Sequence, residues 1–240
     1  MNLGLRGLHL ATPEPLQGTL LPCPESCWDR GEIGYNEPLF VSSFATSTDI
    51  GSFARTCQAS HILGLVFRHR DDHDSSTIDP HFRPSEAKQL HHTLVALNMH
   101  LSQKTCDIGD KSNMEVAAAL CYCARIILYG MYACNDYSPN QPRISEESEM
   151  QRISMEGLKE VTNGVYQLAQ RVLHAAITTD HHALSKNLLV CHCLYLASSE
   201  CAWFAREDNN LEGVACLKAM VELLKAIGTK WLVAGKSLYV

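Results

Sequence analysis

An all-α fold, a multi-helix bundle of about six helices behind an irregular Pro/Gly-rich N-terminal segment, is what this sequence predicts. Three observations predict it. From about Thr48 onward, apolar residues recur at alternating spacings of three and four, the period of a helix with one buried face. The β-branched, period-two alternation of strands is missing. Five of the nine prolines (Pro13, Pro15, Pro22, Pro24 and Pro38) precede that point. Each fixes φ and removes a backbone donor, so residues 1–47 should be an irregular segment packing on the bundle and 48–240 a helical domain.

Each helix has its own pattern. The first spans Thr48 to Arg70, capped by Thr48 or Asp49, with Phe53, Cys57, Leu63, Val66 and Phe67 as its inward stripe. The second spans Pro84 to Gln103: proline suits the first helical position, and Ala87, Leu90, Leu94, Leu97 and Leu101 share one face. The third, Lys111 to Cys134, repeats that spacing through Ala117, Leu120, Cys121, Ala124, Ile127, Leu128 and Met131. The fourth starts at the capping Ser145, carries Leu158, Val161, Val165, Leu168, Val172 and Ala175, and breaks near Thr179-Asp180. The fifth, His182 to Arg206, is apolar nearly all round and predicts a central helix. The sixth, Leu211 to Leu232, turns Val214, Leu217, Val221, Leu224 and Trp231 to one side.

Composition narrows the function. With 240 residues and 46% hydrophobic content the chain is long enough to bury a sizeable core as one domain. A net charge of −6 with scattered Lys and Arg gives no basic face, so direct DNA binding by this chain is not expected. No uninterrupted apolar run reaches the ~18 residues of a membrane span, and no membrane association is expected. Met1 to Leu10 followed by Thr12-Pro13-Glu14-Pro15 lacks the layout of a secretion signal, which predicts an intracellular protein. Eleven cysteines, mostly within apolar helical patterns, then read as buried reduced thiols.

The sharpest cluster of chemistry-bearing residues is His69-Arg70-Asp71-Asp72-His73-Asp74. Asp71, Asp72 and Asp74 with His69 and His73 offer the donors a divalent metal takes. The Asp-Asp-x-Asp run resembles the aspartate-rich magnesium motif of terpene synthases, although their second metal-binding motif has no counterpart here. The plain reading is a solvated helix end, with His69 favoured there by the helix dipole. Cys191-His192-Cys193 and Cys121-Tyr122-Cys123 look like ligand runs, but helix neighbours one or two apart face different ways. The adjacent pairs His91-His92 and His181-His182 diverge for the same reason. Cys23 and Cys27 are a sterically better pair without a second pair at zinc-site spacing. His61 reads as a partly buried, hydrogen-bonded histidine. No nucleophile elbow, phosphate loop or dinucleotide fingerprint occurs.

Three segments carry a family resemblance. Leu21-Pro22-Cys23-Pro24-Glu25-Ser26-Cys27-Trp28-Asp29-Arg30-Gly31 resembles the Leu-Pro-Cys…Trp…Gly turn of fungal-specific transcription factors. Gly51 to Gly64 resembles the helix that follows it, and Phe82 to Leu90, with Leu94 and Leu97, the next. The chain is thus similar to the C-terminal half of the regulatory (middle homology) region of fungal binuclear zinc-cluster transcription factors. The resemblance implies a nuclear, all-helical regulatory domain without catalytic residues, serving a metabolic or secondary-metabolite pathway. It would act through protein contacts and a possible small-molecule effector.

The family's six-cysteine zinc cluster is not among these residues, so no cofactor is expected. Helices that precede the turn in the family are not encoded either. Exposed apolar surface is therefore expected to recruit a protein partner or self-associate. Trp28 and Phe53 are expected as structural anchors, because large aromatics dominate core burial. Tyr195 and His192 are candidate effector contacts. The alternative function is a small all-α metal-dependent enzyme using the His69–Asp74 cluster.

Overall fold

A computed structural model describes residues 14–34, 36–40, 50–73, 82–104, 111–133, 145–178, 188–207 and 211–229. The fold is all-α. Its described helices are α1 (Glu25–Arg30), α2 (Ser52–His73), α3 (Phe82–Lys104), α4 (Lys111–Ala133), α5 (Ser145–Thr178), α6 (Leu188–Glu207) and α7 (Leu211–Gly228). The six long helices are those the periodicity predicts. The short α1 is extra: Pro24 precedes it, Glu25 sits in its first turn, and Gly31 ends it at φ 65°. There the Gly31 and Glu32 amides donate to the Trp28 and Cys27 carbonyls, a left-handed stop that favours glycine.

Residues 14–34 and 36–40 lie against α2. Leu21 N–H donates to Glu37 O at 2.7 Å and Leu39 N–H to Thr19 O at 2.8 Å, around an isolated bridge between Leu20 and Pro38. Leu21, Leu39, Ile50 and Ala54 close a small second core beneath it. The predicted caps Thr48 and Asp49 lie outside the described residues, and α2 begins at Ser52. Its first turn is capped from another helix. Glu25 Oε1 accepts from the Ser52 hydroxyl at 2.5 Å and the Phe53 amide at 2.7 Å. Further along, Phe40 meets the His61 ring edge-on at 4.9 Å, and Arg68 pairs with Glu14 at 2.7 Å.

The predicted stripe of α2 is rotated relative to the one that is buried. Ser52, Arg55, Gln58, Ala59, Ile62, Val66 and His69 go inside. Three of these are large polar residues with interior partners, which an apolar pattern excludes. Phe53 is consequently turned outward, 60% exposed, and Trp28 on α1 is 78% exposed. Neither is the core anchor predicted from its size: α1 buries no residue at all, being one and a half turns resting on α2 by its carboxylate.

The hub of the bundle is α4, not the predicted fifth long helix. It touches α2, α3, α5 and α6, and Ala119 to Ile126 is buried without a break, the guanidinium of Arg125 included. α6 instead leaves Leu189 exposed and packs chiefly on α7 and α4. By length and composition α4 is apolar enough to cross a membrane, with mean hydropathy 1.5 over Met114–Ala133, and 72% of that stretch is buried inside the bundle. Two glycines bring α5 against it. A Cβ on Gly157 would lie 2.4 Å from the Tyr129 ring, and one on Gly164 2.9 Å from the Tyr122 hydroxyl. The partners are seven residues apart on both helices and in opposite order, which is an antiparallel seam two turns long.

Candidate functional site

The described residues of the His69–Asp74 cluster do not converge. His69 is buried, with both ring nitrogens committed: Nδ1 lies 2.7 Å from Glu86 Oε2 on α3, and Nε2 lies 2.7 Å from the Tyr132 hydroxyl on α4. Neither nitrogen is left to ligate a metal. Asp71 is exposed and accepts from Arg70 at 3.0 Å, and Asp72 is exposed. α2 continues to His73, so consecutive carboxylates diverge around the helix. The His73 side chain and Asp74 lie outside the described residues. Among the described residues, no three His, Cys, Asp or Glu side chains are grouped to hold a metal.

What His69 builds is a relay across α2, α3 and α4. Burial, with the Glu86 carboxylate adding to it, pushes the Tyr132 phenol far above its ordinary value. It therefore serves as a hydrogen-bond donor and not as a nucleophile. A second relay lies one turn earlier on α4. The Tyr129 hydroxyl is 2.8 Å from His91 Nδ1 on α3 and accepts from Arg125 Nε at 3.1 Å, and Arg125 Nη1 donates to Glu160 Oε1 on α5 at 3.1 Å. Arg125 is wholly buried, and Glu160 reaches inward from the surface to meet it. Burial, reinforced by His92 and Arg125, holds the His91 pKa below its ordinary value. Both relays tie three helices together, each running from a buried side chain to a carboxylate at the surface, an arrangement of polar groups that fixes packing.

Both cysteine runs turn into the core, where Cys193 of α6 meets Cys123 of α4. Cys121, Cys123, Cys191 and Cys193 are all buried. Cys121 donates to the Leu94 carbonyl, and burial drives its pKa to about 12 and that of Cys191 to about 11. Sealed in the main core and absent from the cleft wall, these thiols stay protonated at neutral pH and away from reagents in solvent. Cys23 and Cys27 flank the Gly34 backbone, where a Cβ would sit 3.3 Å from Cys27 Sγ. Of the adjacent histidines, His91 turns inward and His92 outward. The His181-His182 pair lies outside the described residues. His61 meets an aromatic edge, and burial, with Arg68 adding, lowers its pKa.

An open cleft of about 600 Å³ lies between α5, α6 and α7. α5 contributes Lys159, Thr162, Asn163 and Tyr166, α6 contributes Cys201 and Phe204, and α7 contributes Glu212, Gly213, Ala215 and Cys216. The Lys159 ammonium stands 5.5 Å from the Phe204 ring centroid. The Thr162 hydroxyl is spent on the Leu158 carbonyl at 2.9 Å, and the Tyr166 hydroxyl accepts from Gln170 at 2.7 Å. The volume falls in the range that takes a small organic molecule. Tyr195 and His192, the predicted effector contacts, are not in its wall: α6 reaches it with Cys201 and Phe204, about two turns further on.

The residues that shape these features leave little trace in the sequence. Glu25, Tyr129, Tyr132, Cys201 and Cys216 acquire partners only through packing. The two mid-helix glycines of α5 are the visible signal, since glycine inside a helix is costly without a packing reason. Comparison with family models, curated proteins and solved structures returned no match.

Proposed function

We propose that this chain is the regulatory, non-catalytic helical domain of a fungal transcription regulator, acting in the nucleus by docking a protein partner. The observation that carries this reading is the number of large apolar residues left exposed at the N-terminal end of the described chain. Leu16, Leu20, Trp28 and Ile33 of the N-terminal segment, and Phe53 in the first turn of α2, are each more than half exposed. The resemblance of Leu21 to Gly31 to the Leu-Pro-Cys turn supports the same reading. Residues 14–40 carry five carboxylates against one arginine, so the surface is acidic as well as apolar. The partner that fits is an amphipathic helix with lysine or arginine flanking its apolar stripe, and a second copy of this acidic face would be repelled. The α5–α6–α7 cleft is the place for a small-molecule effector.

The reading is tested by fusing the chain to a heterologous DNA-binding domain and measuring reporter transcription. The fusion is expected to change output several-fold, and the surface variant Trp28→Ala/Ile33→Ser to lose that change while keeping its helical circular dichroism. A fusion with no effect, or a variant indistinguishable from wild type, defeats the proposal. In the same protein, a synthetic apolar helix flanked by lysines is expected to bind, more weakly as salt rises, and its glutamate-flanked twin not to bind.

A further inference from the structure

The thiols of Cys201 and Cys216 meet across the α6–α7 hairpin. The two helices come into contact at Gly213, where a Cβ would lie 3.5 Å from both the Ala205 amide nitrogen and the Cys201 carbonyl oxygen. One turn back along α6 from Ala205 is Cys201, and three residues onward along α7 from Gly213 is Cys216. On antiparallel helices these steps bring the two side chains to the same level. Both line the α5–α6–α7 cleft, and the two thiols hydrogen-bond to each other. Cys201 is buried behind, and Cys216 is half-buried at the opening. The other facing pair, Cys123 and Cys193, is sealed in the main core, away from that cleft.

We propose that Cys201 and Cys216 form a thiol modification site, a dithiol that small disulfides such as glutathione disulfide reach through the cleft and convert to a Cys201–Cys216 disulfide. Cys216 loses its proton to solvent, and its thiolate attacks one sulfur of glutathione disulfide. A mixed disulfide forms on Cys216 and a glutathione thiolate leaves. Cys201 then gives up its proton and attacks the Cys216 sulfur, expelling the second glutathione thiolate. Two electrons pass from the protein's thiols to the reagent, which ends as two thiols. The order follows from the geometry: only Cys216 faces the opening. The hydrogen bond between them works the same way. Burial raises both pKa values, that of Cys201 to about 12, but the shared bond lowers the Cys216 value and raises that of Cys201. Oxidation cross-links α6 to α7 and reshapes the floor of the cleft.

The test treats the full chain with glutathione disulfide in excess, blocks remaining thiols by alkylation and maps the disulfides without reduction. The expected product joins the tryptic peptides Asn187–Arg206 and Glu207–Lys218, with fragments placing the link on Cys201 and leaving Cys191 and Cys193 alkylated. Its rate should rise about tenfold per pH unit near neutrality, as thiolate chemistry requires. Cys201→Ser should accumulate the glutathione adduct on Cys216, and Cys216→Ser should leave Cys201 unreacted. Cys216→Ala repeats the test where the serine variant folds poorly. The oxidised chain should unfold about 5 °C or more above the reduced one. A link at Cys123–Cys193 instead, adduct formation on Cys201 ahead of Cys216, or full alkylation of both thiols after treatment would overturn the proposal.

Discussion

Single side chains do the joining. Glu25 sits on a six-residue helix and finishes the first turn of another one. Burial alone would raise its carboxyl pKa, but hydrogen bonds from the Ser52 hydroxyl and Phe53 amide lower it further than that. The cap is therefore complete above the ordinary carboxylate value and fades as pH falls through the lower folded value. Glu25→Ala should cost about 1–2 kcal/mol in urea unfolding at pH 7. A Cβ on Gly51 would lie 2.1 Å from Glu25 Oε2, so Gly51→Ala displaces the same carboxylate. The double variant should cost less than the sum of the two single ones, a non-additivity that identifies one shared interaction, with the Pro24 Cα at 3.0 Å from the same Cβ leaving Gly51→Ala a cost of its own. In the core, Tyr132→Phe leaves His69 Nε2 facing a carbon edge and should cost about 1–3 kcal/mol by the same measurement. His69 shows why this scale was hard to read. At a helix end among carboxylates it looks solvated, and only the packing of α3 and α4 turns it into an interior residue.

At the scale of helices, the seam between α4 and α5 makes a prediction with two signs. Gly157→Ala drives a methyl into the Tyr129 ring and should destabilise by about 1–3 kcal/mol, more than any gain in helix propensity. Gly164→Ala meets the Tyr122 hydroxyl less severely and should fall between that and zero. Gly64→Ala and Gly130→Ala meet open space, also within helices, and should each stabilise by about 0.5–1 kcal/mol. Thermal or urea unfolding of the four variants checks the order, and a stabilising Gly157→Ala would show that the seam can open. This scale was the most legible in the sequence. The leucine stripe of α3, Ala87 to Leu101, is buried as its spacing predicts, because that face is purely apolar. α2 departs from its pattern for the opposite reason: Arg55, Gln58 and His69 are interior, and a stripe drawn through apolar residues alone rotates the helix. The cleft was invisible, since Cys201 and Cys216 become neighbours only when the α6–α7 hairpin closes.

For the whole molecule, buried ionisable groups pull stability in opposite directions with pH. Burial drives the Glu115 pKa up to about 7, with Arg171 partly opposing. The folded chain thus holds that proton more tightly than the unfolded chain, and stability falls as pH rises from the ordinary carboxylate value through about 7. Glu200, raised by burial, acts in the same sense. His61, His91 and His192 are lowered by burial, so the unfolded chain takes up protons first and stability falls as pH drops below the ordinary imidazole value. Glu115→Gln should therefore gain about 1–2 kcal/mol over wild type at pH 8 and almost nothing at pH 4, after discounting for its partial exposure. Parallel urea titrations at the two pH values would show it, and an equal gain at both would exclude ionisation as the cause.

The Tyr129–Gly157 and Tyr122–Gly164 contacts also constrain how this sequence can drift. A larger residue at either glycine needs a smaller one at the facing tyrosine, and Tyr129 carries the hydroxyl that His91 and Arg125 share. Substitutions at 157 should accordingly arrive together with changes at 129, 91 and 125, whereas 122 and 164 can be exchanged as a simple couple. Descendants and relatives of this chain would record the seam as one foursome and one pair of positions that vary in step.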